Sequence, residues 1–351
     1  MKKRLVCLLL TLALALSLAA VGTVALAADD PAAAKGSTTD FPKGAITMVI
    51  PYGAGGTSDL AGRQFEVALE KYLGVDVVPV NQPGASASIG SQAVLDAPHD
   101  GYTILLSAEA PATMRVMGIS DISFDDFTPI TMLTNDPKVI VVKGDSKYAT
   151  IDDLLADIQA NPGRIQMSYT GPGGSGHIQA LIMTACGYEP ALTAYSGGAD
   201  GIKAVLSGEV VFTNSNYSTV KSYLESGDLK CLAVASTTPL PGVDAPVLSD
   251  AMPGSEAYMD LPYSPLSLVV PNDTPEEVVA VLRRAAAKAV ADPDFTAYVE
   301  ANSLDKLYEK YPTPEDAKEF YANLASTVCW LLDDAGATVE SPETFNIPRI
   351  G

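Results

Sequence analysis

Two stretches, Pro51-Tyr52-Gly53-Ala54-Gly55-Gly56-Thr57-Ser58-Asp59 and Thr170-Gly171-Pro172-Gly173-Gly174-Ser175-Gly176-His177, crowd glycines and hydroxyls together without a lysine or arginine. Each follows an apolar run and precedes a helical pattern. At such a corner the glycines let backbone N–H groups converge, and the helix start adds the positive end of its dipole. The corner can therefore bind an anion with no basic side chain. Thr57, Ser58, Thr170 and Ser175 add hydroxyl donors. Tyr195-Ser196-Gly197-Gly198-Ala199-Asp200-Gly201 has the same character and is expected to line the same cleft. A carboxylate suits these corners. A phosphate loop needs a lysine on the phosphates, and Gly56 is followed by Thr57.

Enzymatic sets are weaker. The chain has 2 histidines, His99 and His177. A nucleophile elbow around Ser175 would need glycine where His177 stands. Ser175 and His177, two apart at a helix start, do not face each other. His177 is expected to be structural. His99 lies in the turn-like Pro98-His99-Asp100-Gly101, and the pairs Asp125-Asp126 and Asp152-Asp153 read as solvated turns or caps. No catalytic set, cofactor site or metal cluster is nominated, so the chain is not expected to be an enzyme.

The elements that must carry these corners alternate. Strands are expected over 46–50, 75–80, 102–106 and 139–142, with helices over 58–73 and 89–97. Near-continuous apolar strands between amphipathic helices predict a buried parallel sheet. Thr150-Ile151-Asp152-Asp153 opens a helix to about Ala160, and Asn161-Pro162-Gly163 ends it. The alternation restarts with a strand over 165–169 and runs to another over 232–235. Residues 237–262 read as a long connection. A strand over 266–270 follows, then helices opened by Thr274-Pro275-Glu276-Glu277 and Thr313-Pro314-Glu315-Asp316. The result is an α/β chain of two units with a ligand cleft between them.

The first residues read as an address. Lys2, Lys3 and Arg4 precede an apolar run, and Ala25-Leu26-Ala27 is a small-residue cleavage site, so 1–27 is expected to be a secretory signal peptide. Residues 28–40 form a small, polar linker. The leader holds 3 of the 22 basic residues and none of the 42 acids, leaving 19 against 42, a net of −23. Such a field repels nucleic acid and anionic lipid, so an anion site must work through local dipoles. The remaining cysteines, Cys186, Cys231 and Cys329, have no framework spacing and are expected to be free and buried, although one pair could close.

Six pieces in order carry a family resemblance: IPYGAGGTSDLAGR, NQPGASASIG, DGYTILL, NPGRIQMSYTGPGGSGH, AYSGGADGIKAVLSGEV and LSLVVPNDTPEEVV. The chain resembles the extracytoplasmic solute receptors of tripartite tricarboxylate transporters, the Bug-type binding proteins. The resemblance implies a two-domain periplasmic-binding-protein fold, type II-like, with domain 1 over 41–141 and 263–351 and domain 2 over 142–262. It implies a monomer, secreted across the inner membrane to the periplasm or cell surface. There it would capture a di- or tricarboxylate, an aromatic acid or an acidic amino acid for membrane transporter subunits. A secreted enzyme on this scaffold, or a sensor for a membrane signalling partner, is the alternative.

Carried onto this chain, the implied ligand positions are Tyr52, Gly53, Gly55, Gly56, Thr57, Ser58 and Asp59, then Thr170, Gly171, Gly173, Gly174, Ser175 and His177. Ser86, Ser196 and Ser215 join them. Asp59 would repel a carboxylate, so it is expected to cap its helix or to meet a ligand amino group. Arg115 and Lys203 are the basic side chains that would serve a multivalent anion if they reached the cleft. The chain departs from the family at Ala87, where glycine is common, so the loop 83–88 is expected to be shaped differently. Pro172 stiffens the second loop. Thr213-Asn214-Ser215-Asn216 replaces a frequent acid where the distal end of the ligand is chosen.

Overall fold

The computed structural model describes residues 40–259, 261 and 264–349. The expected leader and linker lie outside these residues, Asp40 excepted. The strands are β1 (Ile46–Ile50), β2 (Val77–Asn81), β3 (Thr103–Ser107), β4 (Phe127–Asn135), β5 (Lys138–Lys143), β6 (Gln166–Tyr169), β7 (Ala191–Ala194), β8 (Phe212–Asn216), β9 (Leu229–Val234), β10 (Pro265–Pro271) and β11 (Asp305–Lys306). The longer helices are α1 (Thr57–Leu73), α2 (Ser88–Asp96), α3 (Ile151–Ala160), α4 (Ser175–Ala185), α5 (Gly198–Ser207), α6 (Tyr217–Ser226), α7 (Glu276–Ala289), α8 (Pro293–Ala301) and α9 (Pro314–Asp334).

The first sheet runs β11-β4-β10-β3-β1-β2. Met48, Ile50, Ile104, Leu106, Leu268 and Val270 face one side, where Phe65 and Leu69 of α1 and Leu282 and Ala286 of α7 cover them. Val49, Leu105 and Val269 face the other, against Val94 of α2 and Met114. Strands apolar on both faces require both to be covered. The second sheet runs β7-β6-β8-β5-β9. Ile140, Val142 and Phe212 pack under α3 and α4, and Val139 and Val141 under α5 and α6.

Neither sheet is wholly parallel, contrary to the expectation from the apolar runs. β10 runs antiparallel to β3 and β4, and β5 antiparallel to β8 and β9. β5 and β10 are the first strands after the two crossings of the chain between sheets. The strand expected over 139–142, assigned by sequence to the end of the first unit, pairs in the second sheet. Only Asp136 and Pro137 separate β4 from β5. The buried face of α9 shares one cluster with Met132 of the first sheet, with Phe212 of the second, and with Leu155 of α3 and Ile178 of α4.

The acidic helix starts are built as the sequence implies. The Thr150 hydroxyl accepts from the Asp153 N–H, and Asp153 accepts from the Thr150 N–H. One turn on, Asp157 accepts from Lys147 Nζ at 2.7 Å, Tyr148 OH at 2.6 Å and Asn161 Nδ2 at 2.7 Å. The Lys147 ammonium, first, and then the Tyr148 hydroxyl hold the Asp157 carboxyl below its usual range. A depressed carboxylate stabilises the fold above its unfolded pKa of about 3.9, and that gain is lost as pH falls through its native value. Asp157→Asn should therefore lower the urea midpoint at pH 7 and lose less than the parent between pH 4 and pH 2. Equal losses at both ends of the pH range would contradict this.

Candidate functional site

The chain leaves β1 at Pro51 and enters α1 at Thr57, and it leaves β6 at Tyr169 and enters α4 at Ser175. Gly56, Gly174 and Gly197 stand at the N-caps of α1, α4 and α5, and none of these helices has a side-chain cap. Three other helices have side-chain caps, Thr150 on α3, Asp292 on α8 and Thr313 on α9, whereas α2, α6 and α7 have none. A glycine cap has no oxygen to accept from the first N–H groups, which are left for another acceptor. All three glycine-capped starts open onto one cavity of about 80 Å³ between the two sheets.

The two walls touch across this cavity. Ser86 Oγ donates to the Pro172 carbonyl at 3.2 Å, and Thr113 Oγ1 to the Gly173 carbonyl at 3.1 Å. The Ser175 N–H donates to Glu109 Oε1 at 3.2 Å. Gly53 and Gly197 meet so closely that a Cβ on Gly197 would lie 3.6 Å from the Gly53 Cα. At the crossing, buried Asp136 accepts from Thr57 Oγ1 at 2.7 Å and from the Ser218 hydroxyl, joining the starts of α1 and α6. Burial pushes the Asp136 carboxyl up, against the pull of the Ser218 and Thr57 hydroxyls.

Of the expected positions, Tyr52, Gly53, Gly56, Thr57, Ser58, Thr170, Ser175 and Ser215 line the cavity. The others surround it. Asp59 is buried and committed within the protein. It accepts from the Gly55 N–H at 2.9 Å, Arg63 Nε at 2.8 Å and Asn81 Nδ2 at 3.0 Å. His177 Nδ1 accepts from the Gly173 N–H at 3.1 Å, and burial pushes the imidazole pKa down, so the ring braces the loop as a neutral group. Gly171 and Gly173 supply its left-handed turns, at φ 109° and 76°. Ser196 donates to Asp200 at 2.6 Å.

Ser86 reaches Pro172 from a strained loop. Ala85, Ser86 and Ala87 take φ of 43°, 48° and 74°, so Ala87 adopts the left-handed region that glycine favours.

Arg115 and Lys203 do not line the cavity. Arg115 donates to the Asp121 carbonyl at 2.7 Å and faces Asp125 and Asp126, and Lys203 pairs with Asp200. The ammonium that does line it is Lys138, the first residue of β5, which sequence reading missed. It donates to Asn216 Oδ1. Burial lowers its pKa, opposed by Glu109 and Asp136. Glu109 and Ser168 were also missed. The signals were there: a lone charge heading the apolar run Lys138-Val139-Ile140-Val141-Val142, and a lone acid just past the carboxyl end of β3, where open α/β sheets bind ligands. Several buried polar atoms of the lining have no partner among the described residues: Ser168 Oγ, both amide atoms of Asn214 and Asn216 Nδ2. Gly171 to Gly176 also has the G-x-G-x-x-G spacing of dinucleotide loops, but Glu109 at its helix start opposes a pyrophosphate.

Two mixed sheets, two crossings and a polar cavity between uncapped helix starts define a solute receptor of the periplasmic-binding class. Residues 61–323 match the tripartite tricarboxylate transporter family receptor, TctC. Protein BugT of Bordetella pertussis is 26% identical over 88% of this chain and 94% of its own length. The structure of the periplasmic binding protein BugD is 25% identical and superposes with a TM-score of 0.78 over 85% of this chain and 99% of that one. MatC of Rhodopseudomonas palustris, solved with bound malate, shares the fold at 20% identity and a TM-score of 0.76, over 83% of this chain and 100% of that one. The chain belongs to the tripartite tricarboxylate transporter receptor family. That family consists of solute-binding receptors, not enzymes. No helix among the described residues is long and apolar enough to cross a membrane.

Proposed function

We propose that this receptor works outside the cytoplasm, having been exported by its leader, and captures a small organic carboxylate for the membrane subunits of a tripartite tricarboxylate-type transporter. One observation carries the reading: three helix starts without side-chain caps and the Lys138 ammonium meet in one cavity. N–H groups at a helix start favour an anion, and a nearby ammonium adds charge to dipole. The ligand carboxylate would sit at Gly56-Thr57-Ser58 within reach of Lys138, with Thr170, Ser175 and Ser215 on the facing wall. A ligand touching both walls favours the conformation in which they meet, and that form would dock on the membrane partner. Two lobes, divided near the crossings at Asp136-Pro137 and between β9 and β10, would provide the movement.

The test is a thermal-shift panel of carboxylates and their amides. A ligand at a hundred times its dissociation constant should stabilise the fold by about 2.7 kcal/mol. An acid that raises the melting temperature while its amide does not supports the reading. A shift produced by uncharged compounds alone sinks it.

A further inference from the structure

One anion corner of the cavity is already met by the protein. Glu109 reaches across from the end of β3, and its Oε1 accepts from the Ser175 N–H at 3.2 Å, at the start of α4. The two charged residues in the lining are Glu109 and Lys138, one of each sign. Near them lie neutral groups that lack partners. Asn214, 6% exposed, has neither its amide donor nor its acceptor engaged, and Ser168, 1% exposed, has an unpaired hydroxyl. A buried polar group left unpaired is costly, so these atoms are placed for a ligand that can both donate and accept.

A dicarboxylate spanning this cavity would bring its second carboxylate against Glu109 and compete with it for the Ser175 N–H. A ligand with one carboxylate and one ammonium meets no such conflict. Its carboxylate faces the α1 start and Lys138, its ammonium faces Glu109, and the Asn214 amide can serve either pole. Asp59 cannot take the role of Glu109, because its oxygens are held by Gly55, Arg63 and Asn81. The cavity of about 80 Å³ has room for roughly six water-sized groups, the scale of a small amino acid. We infer that the ligand is a small zwitterionic amino acid whose ammonium is read by Glu109, an assignment that rests on the carboxylate-receptor reading above.

The experiment is calorimetric titration of the purified protein and of Glu109→Gln with three series: the standard amino acids, their des-amino analogues, and C4–C6 dicarboxylates. Equal melting temperatures without ligand would establish that the variant folds. An amino acid should bind most tightly to the parent, with its des-amino analogue weaker by about 10- to 100-fold, the worth of a hydrogen bond to a charged group. Glu109→Gln should erase most of that gap and strengthen the dicarboxylates. A parent that prefers a dicarboxylate, or that does not distinguish an amino acid from its des-amino analogue, overturns the inference and leaves the carboxylate receptor standing. Binding of none of the three series overturns both.

Discussion

Gly173→Ala should weaken ligand binding by about 5- to 100-fold, and Thr113→Ala in the same chain should restore part of the loss. Gly173 has φ 76°, so any side chain there is strained whether or not the walls meet, and that strain lowers stability without changing affinity. The clash is a separate effect. A Cβ on Gly173 would lie 2.7 Å from Thr113 Oγ1 and 2.9 Å from Met117 Cγ, both on the opposite wall of the cleft. It exists only when the walls are together. Overpacking of this kind costs about 1–3 kcal/mol, which becomes a loss of affinity if closure accompanies binding. Calorimetry on the single and double variants measures it, and small-angle scattering with ligand should show the single variant more extended. Wild-type affinity in Gly173→Ala would mean that these two walls need not meet for capture.

Lys138→Met should lower carboxylate affinity by about 10- to 100-fold while the fold survives. A hydrogen bond or close contact to a charged group is worth about 1.5–3 kcal/mol. The fold can tolerate the change because methionine removes the cost of burying an ammonium, a cost visible in the lowered pKa of Lys138. Arg115→Met is the matched control: its guanidinium is turned to Asp121, Asp125 and Asp126 and should leave affinity unchanged. If both variants bind as the parent does, the helix starts alone hold the anion.

The sequence made the outer frame readable and the centre of the cleft less so. β1 falls where its apolar run lies, and α3 and α9 open at the capping residues expected of them, because local chemistry decides those features. β4 went unseen because it carries Pro129, which cannot donate to a ladder. The structure accommodates it where the register with β10 shifts, opposite Val269, and Arg283 uses its carbonyl instead. The glycine corners were legible because their requirement is local. Lys138 and Glu109 were not, because nothing near either one says that the chain crosses between sheets at Asp136-Pro137 and brings an acid and a base to one cavity. Asp59 shows the reverse case: the sequence left open an amino-group contact, and Arg63 and Asn81, one turn and one strand away, claim its oxygens.

The position of β10 bears on how the chain comes to be folded. It lies between β3 and β4, yet it follows β3 by about 160 residues, with the whole second sheet in between. Until those residues exist, β3 and β4 both present unpaired ladder edges, and the first sheet is two fragments rather than one. The second sheet is contiguous in the chain and waits for nothing later except the α9 cover. Long-range pairing of this kind is slow to form. The order of assembly is therefore inverted: the half that begins the chain is completed last, and a chain that stops short of β10 has no closed first sheet.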